Sequence, residues 1–158
     1  ALIDALAEVK AKAGVQELWM ELGRYAVGEY GYYVNPVVEQ KCNYGKQQLI
    51  VSGGINHILR PAVTNQAFPC QLLRQSNAEI QPYLLHGPLC TALDHLGEHH
   101  LPNDINEQDW LVFSQCGAYG FTESMPYFLC HELPAEYVIE QGQVSCVRET
   151  QAASDYLR

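Results

Sequence analysis

The stretch "YGYYVNPVVEQKCNYGKQQLIVSG", residues 30–53, decides the fold class. Two aromatic and β-branched runs flank "NYGK", and that pattern reads as a hairpin. Upstream the chain has a different character. Leu2, Leu6, Val9 and Ala13 fall on one helical stripe over residues 2–13, and Gly14 stands where a C-terminal cap belongs. "VQELWME" (15–21) then reads as a buried strand leading into "LGRY". A helix followed closely by a strand is α/β grammar, and nothing similar follows it.

Downstream of the hairpin, "QPYLLHGP", "DWLVFSQCGAYGF" and "AEYVIEQGQVSCVRE" read as further strands, punctuated by Gly and Pro. The fold class is therefore mainly β (α+β). The expected divisions are residues 1–29 as the end of an α/β unit, 30–150 as a β domain and 151–158 as a tail. "TQAASDYLR" reads as a weak helix or a frayed end. No internal repeat or low-complexity segment is visible. The chain starts without Met, inside a helical pattern, and so reads as a piece of something longer.

Composition excludes several classes. The 158 residues are 47% apolar, ample for a core, and carry a net charge of −9. That charge argues against nucleic acid, which is held by clustered Lys and Arg. No apolar run approaches the roughly 18 residues of a membrane-spanning helix. The N-terminus has acidic residues and no signal-like apolar region. Six cysteines, at 42, 70, 90, 116, 130 and 146, are widely and irregularly spaced without a CxxC. They read as reduced thiols of a cytoplasmic protein rather than a disulfide framework.

Chemistry-bearing residues are few. His95, His99 and His100 form the obvious metal candidate. A Gly and a Pro bracket them and no second ligand cluster has metal spacing, so they read as a solvated polar loop. His57 and His131 are isolated and read as ordinary hydrogen-bonding residues. The paired glycines of "SGGINH" mark a bulge or a tight turn. "CGAYGF" puts Tyr119 between glycines, either as a turn aromatic or as a hydroxyl offered to a ligand. In "ELGRY" a carboxylate, a flexible glycine and an arginine follow a strand end. That set suits an anion site or a simple ion-paired strand end. "GPLCTALDHLG" (87–97) sets Cys90 behind a Gly-Pro turn with Asp94 close by.

Taken in order, "ELGRY", "SGGINHILRPA", "GPLCTALDHLG", "CGAYGF" and "PAEYVI" resemble the C-terminal part of the fold-type III pyridoxal-phosphate decarboxylases. That group contains the ornithine and diaminopimelate decarboxylases. The resemblance covers roughly residues 15–140. It implies an N-terminal α/β barrel, whose last helix–strand unit is residues 1–29, followed by a C-terminal β-barrel or Greek-key-like domain. It also implies pyridoxal 5′-phosphate as cofactor and a homodimer with its active site at the interface.

Roles follow from the resemblance residue by residue. Glu21 faces the cofactor's ring nitrogen. Gly23 and Arg24 cradle its phosphate, and Tyr119 adds a hydroxyl there. Cys90 returns a proton to the substrate α-carbon across the dimer interface. Arg60, Thr91 and Asp94 lie on the substrate side, Asp94 as an orienting or interface partner rather than a base.

The departures are informative. Leu22 replaces the usual proline. Thr64 replaces a tyrosine that helps hold a distal carboxylate in the diaminopimelate enzymes. Thr91 stands where the better-known relatives carry an acid that binds a distal ammonium. A buried ammonium without a carboxylate is costly, so the implied substrate has no free distal cation. "ELGRY", "GGINH" and the Cys90 stretch look closest to a subgroup acting on amino acids tethered to an acyl carrier protein, which is then a further partner. The alternatives are a diaminopimelate- or ornithine-type enzyme of a free amino acid and a non-catalytic relative of the same fold. The lysine that holds the cofactor lies upstream in the resembling enzymes, so this segment alone is expected to be inactive.

Overall fold

The computed structural model describes residues 1–157. Leu2–Ala13 form helix α1, with Asp4 in its first turn and Lys10 and Lys12 in its last, each complementing the helix dipole. The helix ends at Gly14 in a left-handed cap. No residue of α1 is buried, and Leu2 and Val9 of its stripe are exposed. Residues 15–21 are irregular, with a bend at Gln16, and pair with no strand among the described residues, which corrects the strand expected for "VQELWME". A parallel strand takes its hydrogen bonds from neighbours on both sides, and the described segment supplies none. Gly23–Val27 form the short helix α2.

The expected hairpin is β1 (Tyr33–Asn43) and β2 (Lys46–Val51), with Asn43 paired to Lys46. Its two turn residues, Tyr44 and Gly45, have φ of 50° and 74°. Positive φ at both central residues gives a turn whose twist matches that of the flanking strands. Helix α3 (Arg60–Thr64) and strands β3 (Cys70–Leu72), β4 (Ile80–His86), β5 (His95–Pro102) and β6 (Trp110–Phe113) follow. The strand expected for "DWLVFSQCGAYGF" is confined to its first half. β7 (Glu136–Glu140) and β8 (Gln143–Arg148) pair as a separate hairpin, and α4 (Ala153–Tyr156) is a single turn.

Six strands form one sheet in the order β3-β6-β1-β2-β4-β5, antiparallel except for the β2–β4 pair. The edges β3 and β5 approach one another, so the sheet curls into a nearly closed barrel. Val37, Leu49, Tyr83, Leu85, Leu111 and Phe113 fill its interior. Alternation on β4 is regular: Tyr83 and Leu85 point in, Leu84 and His86 stand half out. On β5 it is broken. Leu85 pairs with Gly97 and His86 with His95, so Leu96 is an extra residue, and Gly97 takes φ of 107°. This bulge shifts the inward phase from Leu96 to His99 and Leu101.

The polar loop expected at residues 98–100 is thus a strand. His99 is a core residue, edge-on to Phe113 and donating through Nε2 to the Leu96 carbonyl. All six cysteines are free thiols, Cys70 and Cys116 being half-buried. No helix among the described residues is long and apolar enough to cross a membrane.

Candidate active site

Tyr119 stands at the centre of one cluster. It follows β6 in a loop docked on the α2 segment, where Cys116 N–H donates to Gly31 and Gly117 N–H to Gly28. Its φ of 57° is left-handed. For a residue with a β-carbon that conformation costs about 1 kcal/mol, which marks the loop as held by its surroundings. The Arg60 guanidinium lies over the Tyr119 ring, 4.3 Å from its centroid, and Arg60 Nε is 3.5 Å from a Glu123 carboxylate oxygen. Arg24 approaches the same ring at 5.7 Å and the Phe68 ring at 5.2 Å. Its two terminal nitrogens donate to the carbonyls of Gln115 (3.0 Å) and Ala118 (3.3 Å). A β-carbon on Gly23 would stand 2.8 Å from the Tyr119 hydroxyl. Gly23, Arg24, Arg60 and Tyr119, taken from three separate stretches, therefore surround one point.

A second cluster carries Cys90. Residues 87–94 form the turn between β4 and β5, with Cys90 exposed and Thr91 half-buried. Gly87 N–H donates to the Asp94 carbonyl at its neck, Thr91 N–H to Leu89, and Asp94 N–H to Thr91. The Thr91 hydroxyl accepts Leu93 N–H at 3.3 Å. Asp94 is 3% exposed. One of its oxygens accepts Leu89 N–H at 2.7 Å and the other Ile55 N–H at 2.8 Å. Grouped on the substrate side by sequence, Asp94 spends both oxygens on backbone, so its geometry is that of the orienting partner.

The paired glycines of "SGGINH" now have separate causes: a β-carbon on Gly53 would lie 2.1 Å from the Tyr33 hydroxyl, while Gly54 meets the Asp94 carboxylate. A β-carbon on Gly54 would lie 1.9 Å from Asp94 Oδ1, and one on Gly87 2.3 Å from Oδ2. Only glycine lets both backbones close around that carboxylate. Asn35, also buried, secures the start of the loop: its amide donates to Gly53 O, and its oxygen accepts Ser52 Oγ–H and Gly53 N–H. The loop leads into α3, which opens with Arg60.

His57 ties this loop to two other elements. Its Nε2 faces the Glu132 carbonyl at 3.1 Å, and its Nδ1 faces the Tyr33 hydroxyl at 2.7 Å. A carbonyl only accepts, so Nε2 carries the proton and Nδ1 accepts from Tyr33. Burial holds the His57 imidazole below its ordinary value and pushes the Tyr33 phenol well above its own, with the nearby Asp94 charge adding to the latter.

Glu21 is exposed in the irregular segment before α2. Sequence reasoning missed Asn35, Phe68 and the carbonyls of Gln115 and Ala118. The sequence signals for the carboxylate brace were Gly54 and the expectation of Asp94 as an orienting partner.

Comparison with known proteins follows the same lines. Residues 24–117 match the family model described as pyridoxal-dependent decarboxylase, C-terminal sheet domain. The L-glutamyl-[BtrI acyl-carrier protein] decarboxylase of Niallia circulans is 30% identical over 86% of this chain and 34% of its own length. The diaminopimelate decarboxylase of Campylobacter jejuni is 28% identical over 87% of this chain and 34% of its own. The crystal structure of diaminopimelate decarboxylase from Helicobacter pylori complexed with L-lysine superposes with a TM-score of 0.74 at 26% identity, covering 84% of this chain and 32% of that one. The chain thus spans about a third of the length of the curated relatives it matches.

Pyridoxal 5′-phosphate is the cofactor that this match implies. The donors around Tyr119 suit a phosphate: the Arg24 guanidinium, a phenol and a glycine backbone with no β-carbon in the way, with the Arg60 guanidinium beside them. The chain belongs to the pyridoxal-dependent decarboxylase family, as its C-terminal sheet domain.

Proposed function

We propose that this chain is the C-terminal segment of a pyridoxal-phosphate-dependent carboxy-lyase that removes the α-carboxyl group of an amino acid. The observation that carries it is the convergence of Gly23, Arg24, Arg60 and Tyr119 on one point. In this reading residues 1–29 close an N-terminal α/β barrel, 30–150 are the β domain and 151–158 a tail. The exposed apolar stripe of α1 and the unpaired segment 15–21 support a missing barrel neighbour. The functional unit is a homodimer in the cytoplasm, and this segment alone is inactive because the lysine that holds the cofactor lies outside it.

Pyridoxal phosphate, when bound, takes up the electron pair left at the α-carbon as CO₂ departs. The chain's own residues bind and move protons around that chemistry. Gly23 N–H and Arg24 hold the phosphate with the Tyr119 hydroxyl, and Glu21 keeps the ring nitrogen protonated. Arg60 faces an anionic group of the substrate. Cys90 delivers a proton to the α-carbon from across the interface, and Asp94 keeps the turn in the shape that presents it.

Thr91 brings no charge to the distal end of the substrate, which supports an amino acid without a free distal cation, such as one tethered to an acyl carrier protein. The relative from Niallia circulans bears a name of that kind. A second reading, decarboxylation of free diaminopimelate or a similar amino acid, is favoured by the relatives named diaminopimelate decarboxylase. CO₂ release by the full-length protein from free diaminopimelate, free glutamate and a carrier-bound glutamyl group separates the two. Release from diaminopimelate alone overturns the tethered reading. Cys90→Ala should slow release of the protonated product or divert protonation; an unchanged rate and product overturns its role.

A further inference from the structure

We propose that His86 and His95 are positioning residues for the Cys90 turn, and that protonating this adjacent pair loosens the turn. The proposal rests on the proton-donor reading of Cys90 only for its effect on catalysis. The two residues are cross-strand partners, His86 ending β4 and His95 opening β5. Their ring centroids are 5.5 Å apart with planes tilted by 30°. The chain leaves at Gly87 and returns at Asp94 between them, closed by Gly87 N–H to the Asp94 carbonyl at 3.2 Å. The pair is therefore the neck of the turn that presents Cys90.

The protonation state of His95 is tied to the strand register. Its Nδ1 accepts Gly97 N–H at 3.1 Å, so neutral His95 carries its proton on Nε2. The Leu85 carbonyl stands 3.4 Å from the same Nδ1. A proton on Nδ1 turns that atom from acceptor to donor. Gly97 N–H then loses its partner, and the ring is drawn toward Leu85 instead. Gly97 belongs to the β-bulge that sets the inward phase of β5, so the exchange acts on the frame of the turn.

The groups facing the pair only partly offset its charge. Asp94 comes from the turn: its backbone and its charge both favour the His86 cation, although its carboxylate is held by Leu89 and Ile55 N–H. Lys41 reaches the site from β1 and adds positive charge. Glu39 lies in the same cross-strand row, beyond Ile50, and Glu98 and His100 stand farther along the outward face of β5. Burial first, and the neighbouring His95 second, hold His86 below its ordinary value. Burial therefore favours the neutral form of His86, and a second positive charge at the neck would have to be accommodated beside it.

Hydrogen–deuterium exchange on the full-length holoenzyme tests this, with rates corrected for intrinsic pH dependence, at about pH 7.5 and 5.5. Amides of residues 87–94 should exchange about fivefold faster at the lower pH in the wild type, the repulsion expected of two charges at that separation. H86Q/H95Q keeps an acceptor for Gly97 N–H and cannot charge, so its protection should not change with pH. Single H86Q and H95Q variants serve if the double variant misfolds. Equal pH response in wild type and variants, or no response in either, overturns the proposal. If the exchange result is as expected while Cys90→Ala leaves the kinetics unchanged, the neck stands and the proton-donor reading of Cys90 falls instead. The acid limb of kcat should flatten in H86Q/H95Q with KM unchanged; a limb identical to wild type overturns the catalytic part.

Discussion

Asp94 receives the N–H of Leu89 at 2.7 Å, across the turn that carries Cys90. Its other oxygen takes Ile55 N–H from a loop 39 residues away in sequence. One buried carboxylate thus joins the two stretches most characteristic of this chain. Asp94→Asn replaces an acceptor with an NH₂ group aimed at an N–H. A buried bond to a charged group is lost and a donor is orphaned, at a cost of about 2–3 kcal/mol. The urea midpoint should fall accordingly; a change under about 0.5 kcal/mol would contradict the brace.

Gly54→Ala and Gly87→Ala press a methyl group into the same carboxylate. Neither backbone can yield without breaking an Asp94 bond, so each should cost at least about 2 kcal/mol. Gly45→Ala is the control. Its site is open and only its positive φ resists, so about 1 kcal/mol is expected. Equal losses at the three sites would show that backbone conformation, not the carboxylate, sets the requirement.

Arg24→Lys keeps the charge but not the fork that spans the carbonyls of Gln115 and Ala118. The loop bearing Tyr119 loses its anchor, and affinity of the full-length protein for pyridoxal phosphate should fall about tenfold. Cofactor titration followed by absorbance checks this, and an unchanged affinity removes Arg24 from the phosphate site.

Stability should also depend on pH in a defined window. Burial is the leading cause holding His57, His86 and His99 below their ordinary value of 6.5. As pH falls through that value, the unfolded chain takes up protons that the folded chain still refuses. Through these histidines the folded state therefore loses stability progressively below about pH 6.5, while the raised Tyr33, Cys70 and Cys116 cost it stability only in the alkaline range, above about pH 9. Asp104 and Asp109 are held below the usual carboxylate range by hydrogen bonds from Arg74, so their contribution is lost only when pH falls below about 3.8. Urea midpoints between about pH 7.5 and 5 should decline; a flat profile would contradict the burial of the histidines.

Thiol reactivity should divide the cysteines. Burial pushes Cys70 and Cys116 up to about 12. At about pH 8 their thiolate population is lower than that of an ordinary thiol on the order of a thousandfold. Iodoacetamide should label exposed Cys42, Cys90 and Cys130 first, and peptide mapping that finds Cys70 or Cys116 modified as fast would contradict their packing.

The parts of the fold visible in sequence were those fixed by neighbours in the chain. "NYGK" announced a hairpin because Tyr44 and Gly45 can adopt the left-handed backbone it requires. β4 was visible as a β-rich run between turn residues, and "AEYVIEQGQVSCVRE" as a strand, though not as the β7–β8 hairpin that it forms. β5 was not, because the extra Leu96 breaks its alternation and leaves "EHH" looking like a polar loop. "VQELWME" was read as a strand on its composition, but a strand is made by partners, and residues 15–21 have none among the described residues. The order of the site motifs was legible, and with it the family. The packing of Arg60 on Tyr119 and the burial of Asp94 were not, since each depends on stretches brought together only by the closed sheet.

The β2–β4 pair has a consequence for how the molecule assembles. It is the parallel pairing of the sheet, and its strands are separated by residues 52–79. The hairpins β1–β2 and β4–β5 close over short spans and can form early. Joining them requires the long crossover to be ordered first, an entropic cost met before any contact repays it. The Asp94–Ile55 bond spans that same junction. Loss of the carboxylate should therefore slow refolding as well as hasten unfolding, whereas a change confined to either hairpin turn should act mainly on one limb of the chevron.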